Sequence, residues 1–397
     1  MPPWPRYWAN RKVLVAHPSP SKPSMVTLVP FVGTSSIALL SSIVIVATLT
    51  MATIGKMDVL QPLQQPSADY TSNFAIMGGT GMQGGAAIDL LLEFGVSHSN
   101  IRTLTRNANS PAARRLSKEK GISVLEGSQD IGNEEDPEYG QKVEDLREAY
   151  ARLLDGVECL FALTFTQYDN ETREKRLGRI LFESIAASPS IKLVVFSGGE
   201  RTGIPLLDAK ADVEDVGRQV LRNSDTGLRC VFLHSSFFME NTLIKGNHKR
   251  YRLSSDGRRY ELSLPLPFDR RIAMISAKDI GNIAAQIMLN EPFVEEARFR
   301  SLTIVGDIVS PRTLLQSIKM SVPEFEFDYR QTNFDDLKAT MGEAQTTLVR
   351  QMYETYYAQN SDENLTRQHI KQTRKIYPKT ADVKAWMKNY GKIILSA

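Results

Sequence analysis

Residues 73–95 read NFAIMGGTGMQGGAAIDLLLEFG, and the order of signals in them decides the fold. A short apolar run, Phe74 to Met77, leads into a turn crowded with Gly78, Gly79, Gly81, Gly84 and Gly85. A helix-like pattern with Ile88, Leu91, Leu92 and Gly95 follows. Strand, glycine turn and helix in that order open a dinucleotide-binding fold. In the spacing Gly79-x-Gly81-x-x-Gly84, Gly79 lets the chain turn tightly, Gly81 leaves room for a pyrophosphate, and Gly84 lets the helix pack close to the strand. The helix N-terminus presents free N–H groups to phosphate oxygens. A glycine-rich hairpin of no function has the same spacing, so the flanking strand and helix carry the assignment.

Outward from this stretch, 397 residues suit a large α/β domain with a smaller lobe or tails. The apolar share of 42% and charged share of 23% are those of a globular protein, and a net charge of +3 is too small to imply nucleic acid. Cys159 and Cys230 each sit in an apolar run and read as buried strand residues, which excludes a disulfide scaffold. The five histidines are scattered, and no zinc motif is present.

Residues 1–72 precede the first strand and form an extension. Pro23 to Gly55 carries no charge, and its densest part, Ile37 to Ile54, is just long enough to span a bilayer. Three explanations stay open: a membrane segment within residues 23–55, a cleaved organelle-targeting segment, or translation that begins at Met51 or Met57. The location expected is cytoplasmic, with anchoring or organelle targeting if the extension is real.

Along the chain, Ile101 to Thr105 reads as the second strand, and the residue at its end faces the adenosine ribose in such folds. Here Arg106 and Asn107 replace the acidic residue that would repel a 2′-phosphate, with Arg114 and Arg115 further on. This composition favours NADP(H) over NAD(H). Strands are expected at Ile122–Leu125, Val157–Thr164, Ile191–Phe196 and Leu228–Leu233, and helices at Pro111–Lys120, Val143–Leu154 and Thr172–Ala187. Thr164, Phe165, Thr166 and Gln167 stand at the C-terminal edge of the fourth strand, where ligands bind. Phe165 is either a cofactor-stacking ring or a core aromatic.

Catalysis turns on Ser197. Hydride transfer on this fold commonly uses a serine, a tyrosine about thirteen residues later and a lysine four beyond that. The thirteenth residue after Ser197 is Lys210, the next position in the pattern is Glu214, and no tyrosine lies between Ser197 and Lys210. Lys210 is therefore the catalytic candidate, as a general acid or base if burial lowers its pKa. Nearby Asp208, Asp212 and Glu214 would raise it instead, and a surface lysine is the plainer alternative.

The pieces GGTGMQGG (78–85), LTRN (104–107), FSGGERTG (196–203), DAKADVE (208–214), LHSSFFMENTL (233–243), ISAKDIGNIAAQIM (275–288) and YPKTADVKAWMKNYG (377–391) occur in order. Together they make the chain resemble the NmrA-like branch of the atypical short-chain dehydrogenase/reductases. The resemblance implies a Rossmann-type doubly wound parallel sheet with a smaller C-terminal α+β lobe, and NADP(H) as cofactor. It divides residues 73–233, the nucleotide core, from residues 234–397, mainly the smaller lobe with some elements returning to the core. Cofactor contacts are expected from the loop Gly79, Thr80, Gly81, Met82, Gln83 and Gly84, and from Arg106, Asn107, Thr164 and Lys210. Some members are reductases, among them plant phenylpropanoid and isoflavone reductases, in which a lysine at the Lys210 position takes part in proton transfer. Others bind NADP without catalysis and act through protein partners, among them fungal regulators of nitrogen metabolism.

In the second lobe, Phe237, Phe238 and Met239 form either an apolar substrate wall or interlobe packing, and Asn241 is a candidate for holding a substrate or loop. Ser276 is placed to cap a helix with an inward stripe of Ile280, Ile283, Ala284 and Ile287. Residues 334–357 look helical, and the basic tail 367–392 carries an apolar face of Val383, Trp386, Met387 and Tyr390. No direct nucleic-acid motif is present. Two functions follow: an NADP(H)-dependent oxidoreductase for a small, fairly apolar carbonyl or enone, or a non-catalytic NADP(H) sensor working through a regulatory protein partner.

Overall fold

Phe74–Met77 forms strand β1, and its side chains alternate between two cores: Phe74 and Ile76 enter one, Ala75 and Met77 the other. This is the period of two that a strand covered on both faces requires. In the computed structural model the described residues are 71–165, 171–224, 226–243, 251–253, 259–290, 298–359 and 362–395. They lie in one compact unit, Gln61–Ala397.

Six further strands join β1 in a parallel sheet: β2 (Ile101–Thr105), β3 (Ser123–Glu126), β4 (Cys159–Ala162), β5 (Leu193–Gly198), β6 (Arg229–Ser235) and β11 (Phe299–Ile304). The order is β11-β6-β5-β4-β1-β2-β3. The chain walks from β1 to β3 in one direction, then crosses back to β4, so neighbouring crossovers diverge between β1 and β4 and leave a crevice at the strands' C-terminal ends. Helices α1 (Met82–Glu93) and α6 (Ala277–Leu289) cover one face, through Ile88, Leu91, Ile280 and Ile283. Helices α3 (Tyr139–Leu154), α4 (Glu171–Ala186) and α5 (Pro205–Arg222) cover the other, through Leu153, Leu181 and Val213. Between β2 and β3, α2 begins at Pro111–Arg114 and passes into a π-helical turn over Arg115–Glu119.

The remaining elements build a second layer. Strands β7 (Phe237–Phe238), β10 (Ile272–Ile275) and β12 (Asp307–Val309) form one small sheet; β8 (Tyr251–Leu253), β9 (Arg259–Leu264) and β13 (Glu326–Gln331) form another. Helices α7 (Pro311–Ser321) and α11 (Val383–Leu395) close their core around the fully buried Trp386, with Phe237, Met239 and Phe327. The expected helix over 334–357 is two, α8 (Phe334–Met341) and α9 (Glu343–Gln359), because Gly342 sits at φ 84° and breaks the run. Helix α10 (Glu363–Ile376) hangs on β11, where Val305 N–H donates to the Thr373 hydroxyl at 3.0 Å.

Ser276 caps α6 by accepting from Lys278 N–H, as its position before the apolar stripe suggests. Ser310 and Thr313 close a capping box on α7. Cys159 and Cys230 are both buried and form no disulfide among the described residues. The expectation of a membrane association needs correction: among the described residues no helix is long and apolar enough to cross a membrane. Residues 23–55, on which that expectation was placed, lie outside the described residues.

Candidate functional site

The crevice between β1 and β4 collects most of the residues singled out in the sequence. At the end of β1 the tight turn is made by Gly78, not Gly79: Gly78 has φ 67°, and its carbonyl accepts from Gly81 N–H at 2.8 Å. Gly79 serves close approach instead. A Cβ there would meet Thr103 Oγ1 at 2.5 Å and Ile88 Cδ1 at 2.8 Å, and its N–H donates to the Thr103 hydroxyl at 3.2 Å. Gly84 packs against the same turn, since a Cβ would overlap the Gly78 carbonyl. Gly81 is the open position: a Cβ on it meets only Gly78 O, at 3.2 Å.

Gly81 is also the N-cap of α1, and no side chain caps this helix. The N–H groups of Met82, Gln83 and Gly84 therefore head the helix in the way that suits an anion. The buried Gln83 Oε1 has no hydrogen-bond partner among the described residues. An uncapped helix start and an open Gly81 are the features a dinucleotide pyrophosphate loop calls for. Thr80, between the two close-approach glycines, is half-buried.

At the end of β4, Thr164 is buried and Phe165 is 42% exposed. The Phe165 N–H donates to Gln129 Oε1 at 2.8 Å, and Gln129 Nε2 in turn donates to Tyr150 Oη and Leu163 O, each at 3.1 Å. Burial raises the Tyr150 hydroxyl far above its ordinary pKa, against the opposing pull of Gln129, so it stays protonated. The Arg106 guanidinium lies over the Phe165 ring, 5.6 Å from its centroid. Asn107 spends its side-chain oxygen on the Asn109 N–H at 2.8 Å, and so shapes the Arg106 loop. Thr166 and Gln167 lie outside the described residues.

Lys210, on α5, reaches the same crevice. Its Nζ donates to Thr164 O at 2.6 Å and to Thr164 Oγ1 at 3.1 Å, and pairs with Glu174 Oε1. The Thr164 hydroxyl donates to that same carboxylate oxygen at 2.6 Å. Glu174 is fully buried on α4, and its Oε2 has no hydrogen-bond partner among the described residues. The acidic neighbours expected for Lys210 are occupied elsewhere. Asp208 receives the Thr202 and Gly203 N–H groups. Asp212 and Asp215 receive Arg201 at 2.8 and 2.7 Å. Burial works to raise the Glu214 carboxyl, yet His234, Ser301 and Arg218 hold it below the usual range.

Glu174 is thus the functional neighbour that sequence reasoning missed. It lies 36 positions before Lys210, inside a helix with no motif around it, and only the packing of α4 on α5 brings the two together. Ser197 is a buried residue of β5, paired in register with Leu233. Of the apolar trio, Phe237 is buried and packs on Tyr353 at 5.9 Å between centroids, Met239 is fully buried, and Phe238 is partly buried against the sheet core. Among the described residues no cluster of His, Cys, Asp or Glu could hold a metal ion.

Sheet order, switch-point crevice and glycine loop define a Rossmann-type α/β protein with a nucleotide loop after its first strand. The chain belongs to the NmrA-like family, whose model matches residues 70–387. Its fold is similar to that of NmrA, described as a negative transcriptional regulator and solved in complex with NADP: 15% identity, TM-score 0.62, 82% of this chain and 97% of that one. It is similar to the Citrobacter sp. triphenylmethane reductase complexed with NADP(H), at 15% identity, TM-score 0.59, with 80% and 99% covered. It also resembles the NADPH-dependent quinone oxidoreductase QOR2 of Escherichia coli, at 17% identity, TM-score 0.55, with 80% and 99% covered. At such identities the likeness is one of fold, and that fold carries both a regulator and enzymes.

Proposed function

We propose that this chain binds NADP(H) in the β1–β4 crevice and acts as a non-catalytic redox sensor, passing on the cofactor state through a protein partner. The loop Gly79, Thr80, Gly81, Met82, Gln83 and Gly84 would hold the pyrophosphate, Arg106 and Asn107 the 2′-phosphate end, and Thr164 and Lys210 the nicotinamide ribose side. NADP, when bound, supplies a hydride-accepting ring; the protein's part is to bind and orient it.

The observation that carries the sensor reading is the state of Lys210. It is the proton donor the sequence singles out in a site without the usual tyrosine, and its ammonium is engaged by a buried carboxylate and by Thr164. A lysine whose ammonium is engaged by Glu174 and by both oxygens of Thr164 is held to the fold rather than offered to a substrate. The burial of Phe237 and Met239 favours packing over a substrate wall, the two alternatives open for these residues. The NADP complex of the regulator NmrA, which has this fold, agrees with this reading.

An oxidoreductase for a small apolar carbonyl or enone is the second reading, favoured by the place of Lys210 at the C-terminal edge of β4. The test is to titrate the full-length protein with NADPH and NADH, then incubate the NADPH complex with a carbonyl, enone and quinone panel while following cofactor absorbance. Tight NADPH binding with no oxidation is expected. Turnover that vanishes in Lys210→Ala would overturn the sensor reading and make the protein a reductase.

A further inference from the structure

Arg106 is held in place by an aromatic ring rather than by a carboxylate. Its guanidinium stands 5.6 Å from the centroid of Phe165, and among the described residues no ion pair or hydrogen bond engages its side chain. Phe165 is itself 42% exposed at the crevice rim, so its ring face is open to the Arg106 side chain. Its backbone is pinned: Phe165 N–H to Gln129 Oε1, and Gln129 Nε2 to Tyr150 Oη and Leu163 O. The ring is thus carried on an anchored backbone, and the Arg106 guanidinium rests over it. A guanidinium lying on an aromatic face keeps its N–H edge free for a phosphate, and loses less rotamer freedom when that phosphate arrives.

We infer that Phe165 is a positioning residue for nucleotide choice, holding Arg106 ready for the 2′-phosphate and so setting the preference for NADPH over NADH. The inference rests on the nucleotide-binding reading proposed above. Phe165 acts through Arg106: it raises affinity for the phosphorylated cofactor and leaves the unphosphorylated one almost untouched. Glu126 supports the arrangement from the neighbouring strand, accepting the Ala108 N–H at 2.9 Å and fixing the loop that carries Arg106.

The test compares NADPH and NADH dissociation constants, at one fixed ionic strength, for the full-length wild type, Phe165→Leu, Phe165→Tyr, Arg106→Ala and the Arg106→Ala/Phe165→Leu double variant. Phe165→Leu is expected to lower the NADPH preference about two- to fivefold, the size an exposed cation–π contact supports. Its NADH affinity should stay at the wild-type value, and Phe165→Tyr should restore the preference. In the Arg106→Ala background, Phe165→Leu should change nothing further. An unchanged preference in Phe165→Leu, or an equal loss of both nucleotides, overturns this inference while leaving nucleotide binding intact. A wild-type protein that binds neither nucleotide overturns both the inference and the reading beneath it. Thermal melts of each variant separate a binding effect from a folding one.

Discussion

Lys210 and Glu174 close an ion pair behind the C-terminal end of β4, and Thr164 ties it off from both sides, accepting from the lysine and donating to the carboxylate. The pair joins α5 to α4 where the two helices flank the crevice. Breaking it from the lysine side leaves the buried Glu174 carboxylate without its cationic partner. Lys210→Met is therefore expected to destabilise the protein by about 3–5 kcal/mol near neutral pH. Lys210→Met/Glu174→Gln should recover much of that loss, because the stranded carboxylate is gone. Urea unfolding of the two single variants and the double variant gives the coupling energy. Independent, additive losses would show that the two side chains do not act as a pair.

The glycine loop separates folding from binding at two positions. Gly81 has φ −97° and ψ −177°, which any L residue adopts, and a Cβ there faces outward with only Gly78 O at 3.2 Å. Gly81→Ala should fold with a stability change below about 1 kcal/mol, yet weaken NADPH about tenfold or more, since the methyl stands where the pyrophosphate would approach. Gly84→Ala should do the reverse in emphasis. Its Cβ overlaps the Gly78 carbonyl, so the turn must shift, at about 1–3 kcal/mol or more. Calorimetric titration and thermal melts on both variants check the contrast.

Helix α6 comes from the sequence after β10, yet it presses on the start of α1: a Cβ on Gly281 would overlap the Gln83 carbonyl and stand 3.0 Å from Ala87 N. Neither backbone can yield without moving the loop. Gly281→Ala is expected to cost at least about 1–3 kcal/mol and to weaken nucleotide binding as well, although the residue lies some two hundred positions from the loop. A variant that keeps both its melting temperature and its NADPH affinity would show that the two helices can part freely.

Much of the core was legible because its signals are local. The apolar run Phe74–Met77, the glycine turn and the capping serine Ser276 each follow from a few neighbouring residues. What stayed hidden is non-local. Glu174 beneath Lys210, Gly281 against Gln83 and Phe165 under Arg106 are contacts between elements distant in sequence, set by how helices pack across the sheet. The sequence placed Asp208, Asp212 and Glu214 near Lys210 by number. In the folded protein these carboxylates bond to the 202–203 loop, to Arg201 and to His234 instead. Even within the glycine loop, assigning the sharp turn to Gly79 missed by one residue, because only backbone torsions tell a left-handed glycine from one needed for close approach.

Asp279 gives the protein a pH dependence of definite sign. It sits in the first turn of α6, mostly buried, and accepts the Ala381 N–H at 2.9 Å just before α11 begins. Burial is the main force raising its carboxyl from 3.8 to about 6; the Ala381 N–H and Asn282 oppose it, and Glu240 adds to it. Because the folded state holds the proton more tightly than the unfolded chain, its contribution is full below pH 4 or so and is lost as pH rises through about 6. A rise of about two units corresponds to about 3 kcal/mol. Asp279→Asn removes this titration while its side-chain oxygen can still accept from Ala381. The stability of the Asn variant relative to wild type should therefore grow by up to about 3 kcal/mol between pH 4 and pH 7.5. Urea unfolding of both proteins across that range measures it. A relative stability that stays flat with pH would show that Asp279 ionises in the folded protein as easily as in the unfolded chain.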